Sequence, residues 1–517
     1  MMSKRARHGN RDGVFAGSMA QRAIIDIGSN TVRLVIYGGS MRAPTVLLNE
    51  KVTAKLGRDM ATTGDLAPEA IDLAMRGLER FALLLSDHDI TDVETVATAA
   101  VRDARNGPEF LARLEQIGLS PRVISGEVEA CLSASGVAGA FPGATGTVAD
   151  LGGGSLELVR IEDSVPHDAT SLTLGTLRLP EYRGKSAAQM RKTLIAAIED
   201  EAGSAAKKVI KKAKKKPLYL VGGTWRCMAV YAMQEQNHPL SDPHGFSLSA
   251  DDAMTLAKTL AGQDAEALKG RERISSMRAE KLPDAAVLLQ ALLTRLSPEE
   301  VVFSSWGLRE GLLYDRLPDE EKMQDPLLSG VAVFASGRGA PATLATRIAG
   351  WTVGARPNGG HGNERLRLAA TMLALASMQI EPNIRLPQAI NWALHKRWIA
   401  LDAAERAMIA ATIAANGNMV EPPDGLVELA GQEAIDDAMC WGYAVRLARR
   451  LGARSRQSLQ SSRLRIEDDR LTLSLAESHA ALFGYSTEKD MKLLSGKLGL
   501  DWTVKTVADD ELHSGLD

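Results

Sequence analysis

The segment Asp26-Ile-Gly-Ser-Asn-Thr31 returns far downstream as Asp150-Leu-Gly-Gly-Gly-Ser155, and the two copies share a context as well as a composition. In each, an apolar run ends in Asp, a tight turn follows, and an alternating strand leaves it: Val32-Arg-Leu-Val-Ile-Tyr37 in the first, Leu156-Glu-Leu-Val-Arg-Ile161 in the second. Glycine lets main-chain N–H groups approach an anion closely, and Ser29, Thr31 and Ser155 add hydroxyl donors. One such turn alone reads as an ordinary β-turn; two in the same context predict hairpins that face each other and clamp a phosphate chain. Gly28, Ser29, Asn30 and Thr31 would line one side, and Gly152, Gly153, Gly154 and Ser155 the other. Asp26 and Asp150 are then placed to hold a divalent cation, with Mg²⁺ expected because its hard, part-hydrated shell suits carboxylates and phosphate oxygens.

A chain of 517 residues predicts two to four domains. The 61 Lys and Arg against 64 Asp and Glu leave a formal charge of −3, which removes the basic excess of a dedicated nucleic-acid binder, so a polyanion must be gripped locally. Aromatic residues, at 4%, are too few for base stacking to be the main device. Cys131, Cys227 and Cys440 are scattered, which argues against a disulfide framework or a zinc site and fits a reducing cytoplasm. No apolar run approaches the roughly 18 residues of a membrane span. Residues 1–21, basic and without an apolar signal core, read as a flexible tail.

From residue 22 to 317 apolar β-branched runs alternate with helical patterns, which predicts α/β architecture. Strands are expected within Ala23–Tyr37 and at Val93–Thr98, Pro121–Ser125, Thr147–Asp150, Leu156–Ile161 and Leu218–Val221. Pro68–Ser86 reads as a core helix on the spacing of Ile71, Met75, Leu78, Ala82 and Leu85. Beyond 318 the pattern turns helical, with helices expected at Glu364–Gln379, Leu386–Leu401 and Ala403–Ala415, and Met372, Leu375 and Met378 in the core. A hairpin over Arg463–Leu475 around Asp468 and Asp469, a helix at Thr487–Leu498 and a strand at Trp502–Val507 predict a small α/β element at 461–517.

The whole series resembles the exopolyphosphatase/guanosine pentaphosphatase family. It comprises Ile25–Val35, Ala97–Ala104 with Asn106-Gly107, Ser125-Gly-Glu-Val-Glu-Ala130, Asp150–Glu157, Leu174-Gly-Thr-Leu-Arg178, Val221-Gly-Gly-Thr-Trp-Arg226 and Ser304–Gly311. The resemblance implies two duplicated actin-like, ribonuclease H-like domains around a cleft, at 22–138 and 139–317. It also implies an all-α domain at 318–460 similar to HD phosphohydrolases, and a homodimer. It further implies hydrolysis of terminal phosphate from inorganic polyphosphate with Mg²⁺, or from the pentaphosphate pppGpp. Phosphotransfer to ADP, and a polyphosphate or nucleotide sensor without turnover, are the other readings.

By the same resemblance Glu129 is the water-activating carboxylate and Glu157 the second carboxylate, orienting water or metal. The motif departs from the family in having Val128 at its middle position. Arg102, whose planar fork suits phosphate, and the turn Gly222, Gly223 and Thr224 are further phosphate-binding candidates, with Arg226 adding charge and the role of Arg309 and Glu310 open. Lys207, Lys208, Lys211, Lys212, Lys214, Lys215 and Lys216 read first as a solvated helix end before Pro217, and second as a salt-sensitive contact for a polyphosphate tail. The helical region lacks a His-Asp pair at Thr371–Ser377, and His361 and His395 stand apart, so no metal is expected there.

Overall fold

The computed structural model describes residues 21–201, 203–355 and 363–512, apart from the side chains of residues 61, 204 and 206. The basic tail, save Gln21, and His361 lie outside the described residues. The chain divides between Pro326 and Leu327 into two compact units.

The first unit holds two sheets built on one plan. The first contains β1 (Arg22–Ile27), β2 (Val32–Gly38), β3 (Thr45–Val52), β4 (Val93–Ala97) and β5 (Pro121–Val123), in the order β3-β2-β1-β4-β5. The second contains β6 (Gly146–Leu151), β7 (Leu156–Glu162), β8 (Val165–Leu172), β9 (Leu218–Val221), β10 (Ser247–Ser249) and β11 (Glu300–Ser304), in the order β10-β11-β9-β6-β7-β8. Setting the edge strand β10 aside, β8-β7-β6-β9-β11 repeats the first order. Each begins as an antiparallel hairpin, β1 with β2 and β6 with β7, and continues through a parallel partner, β4 or β9. The run Ala23–Tyr37 is therefore two strands broken at the turn.

Every strand read from the sequence is present, but β3, β8, β10 and β11 escape that reading. Strands β3 and β8 alternate weakly because both lie at sheet edges, where polar residues and Pro166 are tolerated. The helix Pro68–Asp87 buries Ala70, Ala74, Met75, Leu78, Phe81 and Leu85, with Ile71 and Ala82 at the border of the stripe. Each large apolar side chain so covered contributes about 1.5–3 kcal/mol. The helix Gly126–Ala140 carries the chain from the first sheet to the second, and its glycines and alanines pack closely on the helix Leu308–Asp315.

In the second unit, helices Glu364–Ala376, Ala403–Asn416 and Gln432–Gly452 enclose one apolar core that includes Met372 and Leu375, with Met378 half-buried. The helix expected at Leu386–Leu401 instead spans Pro382–His395. Pro382 starts it, and buried Arg406 ends it by donating to the carbonyls of Ala393, Lys396 and Trp398 at 3.3, 2.7 and 3.3 Å. The unit closes with β12 (Ser462–Glu467), β13 (Arg470–Ala476), the helix Tyr485–Leu498 and β14 (Asp501–Val507). Asp468 and Asp469, both at positive φ (49° and 55°), turn the β12–β13 hairpin. Among the described residues no helix is long and apolar enough to cross a membrane.

Candidate active site

The two predicted turns close in the same way. Gly28 N–H donates to the Thr31 carbonyl at 3.1 Å, and Gly152 N–H to the Ser155 carbonyl at 3.0 Å. They also meet face to face. A Cβ on Gly153 would stand 3.2 Å from Ser29 Cβ, and one on Gly154 2.9 Å from Ser29 Oγ, so this approach leaves little room for a side chain. Between them lies a cavity of about 200 Å³ whose lining includes both turns with Asp26, Glu129 and Asp150. Gly222 and Gly223 join the lining, at the start of the helix Gly223–Glu235. Gly222 has φ +123°, and a Cβ there would lie 2.7 Å from the Leu151 carbonyl, which fixes glycine at this crossing.

Strand register sets the chemistry of each half. Asp26 pairs with Arg33 across β1–β2, whereas the equivalent Asp150 pairs with Glu157 across β6–β7. The carboxylates have unequal support. Arg309 Nη1 donates to Asp26 Oδ2 at 3.0 Å, the Ser133 hydroxyl donates to Asp150 Oδ2, and Ser171 Oγ donates to Glu157 Oε1 at 2.9 Å. Glu129 Oε2 is buried with no hydrogen-bond partner among the described residues, 4.0 Å from Arg102 Nη1.

The consequence is electrostatic. Burial, then the charges of Glu157, Asp150 and Asp26, hold the Glu129 carboxyl well above its ordinary range. Burial and Asp150 push Glu157 up to about 8, against the opposing hydrogen bonds of Ser155 and Ser171. Asp150 is raised by burial, with Ser133 opposing. Burial alone would lower the Arg309 guanidinium, but Glu310, Asp26 and Tyr37 more than reverse it. Glu310 itself is fixed, accepting from Tyr37 Oη at 2.8 Å and from Gly307 N–H at 3.1 Å.

Other sequence candidates fall elsewhere. Arg102 stands outside the cavity between the turns, lining an adjoining one of about 440 Å³. Its guanidinium donates to Asp103 at 2.9 Å and to the Ile124 carbonyl at 3.1 Å. Thr224 lines a third cavity, of about 150 Å³, with Arg278 and Lys281. The lysine run lines none of the three; Lys207, Lys208, Lys211 and Lys212 lie on the helix Ser204–Ala213, and Lys214, Lys215 and Lys216 lead into the end of β9 remote from Asp150.

Arg33, Arg278, Lys281, Ser133 and Ser171 escape the sequence reading. Arg33 was legible from the hairpin register, and Ser133 from its place one helical turn after Glu129. Arg278 comes from the four-residue helix Ser276–Ala279, too short to leave a periodic signal. Among the described residues no three His, Cys, Asp or Glu side chains stand close enough to hold a metal ion by themselves.

Comparison with known proteins covers more than half of the chain. Exopolyphosphatase 1 of Mycobacterium tuberculosis strain H37Rv is 27% identical over 333 residues, covering 61% of this chain and 93% of the relative. Its Mycobacterium leprae counterpart is 28% identical over 307 residues, or 57% and 89%. The crystal structure of the Aquifex aeolicus member of the Ppx/GppA family superposes with TM-score 0.50 at 27% identity, over 59% of this chain and 99% of that one. An exopolyphosphatase from Cytophaga hutchinsonii gives 0.52 at 25% identity, over 57% and 97%. These neighbours fit two actin-like halves, and residues 35–320 match the family model itself. With more than half its length so matched, the chain belongs to the Ppx/GppA phosphatase family.

Proposed function

We propose that this protein hydrolyses the terminal phosphoanhydride of inorganic polyphosphate. The observation that carries the reading is the cavity between the facing turns, with Glu129 at its wall and one buried carboxylate oxygen that makes no hydrogen bond to any described residue. Backbone N–H groups and the hydroxyls of Ser29, Thr31 and Ser155 hold the terminal phosphoryl oxygens, and Arg33, Arg226, Arg278 and Arg309 offset their charge. Water attacks the terminal phosphorus while the bond to the bridging oxygen breaks, and Glu129 takes the proton. Burial and its acidic neighbours make Glu129 a stronger base than a surface carboxylate. Glu157, held by Ser171, keeps Glu129 and the water oriented.

The donor set fits a hard divalent cation, because three mutually repelling carboxylates, Asp26, Glu129 and Asp150, line a cavity shaped for phosphate. Asp26 and Asp150 would hold Mg²⁺, with phosphate oxygens and water filling its shell. When bound, Mg²⁺ neutralises charge on the leaving phosphate.

The test is orthophosphate release from polyphosphate with Mg²⁺, with a chelator as control and pppGpp as a parallel substrate. Glu129→Gln is expected to fold and bind polyphosphate while turnover falls by roughly 10²–10⁴. Near-normal turnover in that variant would overturn the assignment of the base, and release from pppGpp alone would overturn the substrate.

A further inference from the structure

Three cavities adjoin through the first unit, and the one between the turns is the middle one. It shares Asn30, Gly152, Gly153 and Arg278 with the cavity of about 150 Å³, and Ser29, Ala99, Gly154 and Ser155 with that of about 440 Å³. The two outer cavities share no lining residue. Their charges differ sharply. The smaller carries Arg33, Lys51, Arg278 and Lys281 and no carboxylate, and burial together with the nearby Lys55 and Arg278 draws the Lys281 ammonium below its usual value. The larger offsets Arg102 and Arg178 with Asp103 and Glu127.

A polyanionic chain settles on the uncompensated side, and its own tail then fills that opening. Orthophosphate freed in the middle cavity needs another way out if the shortened chain is to stay bound. The larger cavity supplies it, since Asp103, Ser125, Glu127 and Thr173 on its wall are exposed to solvent. Within it the Arg178 guanidinium makes no hydrogen bond or ion pair with any described residue, while Arg102 stands beside Glu129.

We propose that this larger cavity is the orthophosphate exit, and the entry for water, with Arg102 and Arg178 as successive anion contacts between the turns and bulk solvent. The proposal rests on the hydrolysis reading above and adds a direction to it: chain in on one side, orthophosphate out on the other. It gives Arg102 a phosphate role on the product path.

Two variants test it, with orthophosphate and long-chain polyphosphate as probes. Thr173→Trp narrows the outlet at an exposed position, and is expected to lower steady-state release about tenfold while single-turnover release stays unchanged, the signature of slowed product departure. Arg178→Ala is expected to raise the inhibition constant for orthophosphate about tenfold, with Arg178→Lys in between. Single-turnover and steady-state rates falling together in Thr173→Trp, or orthophosphate inhibition in Arg178→Ala equal to that of the wild type, would overturn the exit and leave hydrolysis standing. A wild type that releases no orthophosphate would remove hydrolysis itself, and the exit with it.

Discussion

Replacing Glu157 with Gln should change how stability depends on pH more than it changes stability at any one acidic pH. The Glu157 side chain is 1% exposed, and its carboxyl is raised from 4.5 to about 8. In the unfolded chain the group ionises near its ordinary value, so between these limits the unfolded state has lost a proton that the folded state keeps. Stability from this group is thus fully present below about pH 4.5 and is lost as pH rises toward about 8. At about 1.4 kcal/mol per pH unit, the loss is on the order of 5 kcal/mol, or about 10 °C in Tm for a unit of this size. Gln keeps the shape and accepts from Ser171 without titrating. Calorimetric melts of the ligand-free protein from pH 5 to 8.5 should show the wild-type first unit falling steeply and Glu157→Gln falling much less. Mg²⁺ should flatten the wild-type curve, because a cation in the site favours the ionised form. Parallel curves for the two proteins would refute the reasoning that burial and Asp150 hold this carboxyl neutral.

Two further substitutions probe packing. A Cβ on Gly175 would lie 2.3 Å from Gly154 C and Ser155 N, where backbone and not a flexible side chain must yield. Gly175→Ala should therefore cost about 1–3 kcal/mol in a urea melt and weaken orthophosphate binding by calorimetric titration, whereas unchanged binding would mean that the second turn tolerates displacement. In the second unit Asp490, with no exposed side-chain surface, receives Arg446 at 2.8 Å and stands 3.2 Å from Arg450. Asp490→Ala leaves those cations without their partner and should cost about 3–5 kcal/mol in the melt of that unit; a loss below about 1 kcal/mol would show that water compensates them.

What could be read from the sequence divides along physical lines. The hairpins at Asp26 and Asp150 were legible because a turn's chemistry is local: strand, carboxylate, small residues, strand. The helix Pro68–Asp87 was legible because its apolar spacing reports burial directly. Strands β3 and β8 were not, since an edge strand is under no pressure to alternate cleanly. The site was half legible for the same reason. Turn residues and Glu129 announce themselves within a few positions, but Arg278 and Ser171 reach the site only through tertiary packing. Arg102 shows a different limit: its motif was legible, but its place beside the cavity between the turns, engaged by Asp103 and the Ile124 carbonyl, is set by tertiary packing.

The most informative departure from symmetry is one position wide. Both hairpins have the same register, yet opposite Asp26 the strand carries Arg33 and opposite Asp150 it carries Glu157. A duplicated pair of identical halves would place either two cations or two more acids opposite the two aspartates. Two cations would hold phosphate firmly but remove Glu157, the acidic neighbour that acts most strongly on Glu129; two acids would do the reverse and repel the substrate. With one of each, Arg33 and Arg278 make the first side attractive to a phosphate chain, while Glu157 and Asp150 on the second side hold Glu129 above its ordinary range. Neutralising both, Arg33→Gln with Glu157→Gln, preserves net charge and introduces no larger side chain at the buried Glu157 position, so a uniform electrostatic account predicts little change. The sided account predicts that polyphosphate binding and turnover both collapse in a folded protein, measured by titration and by orthophosphate release.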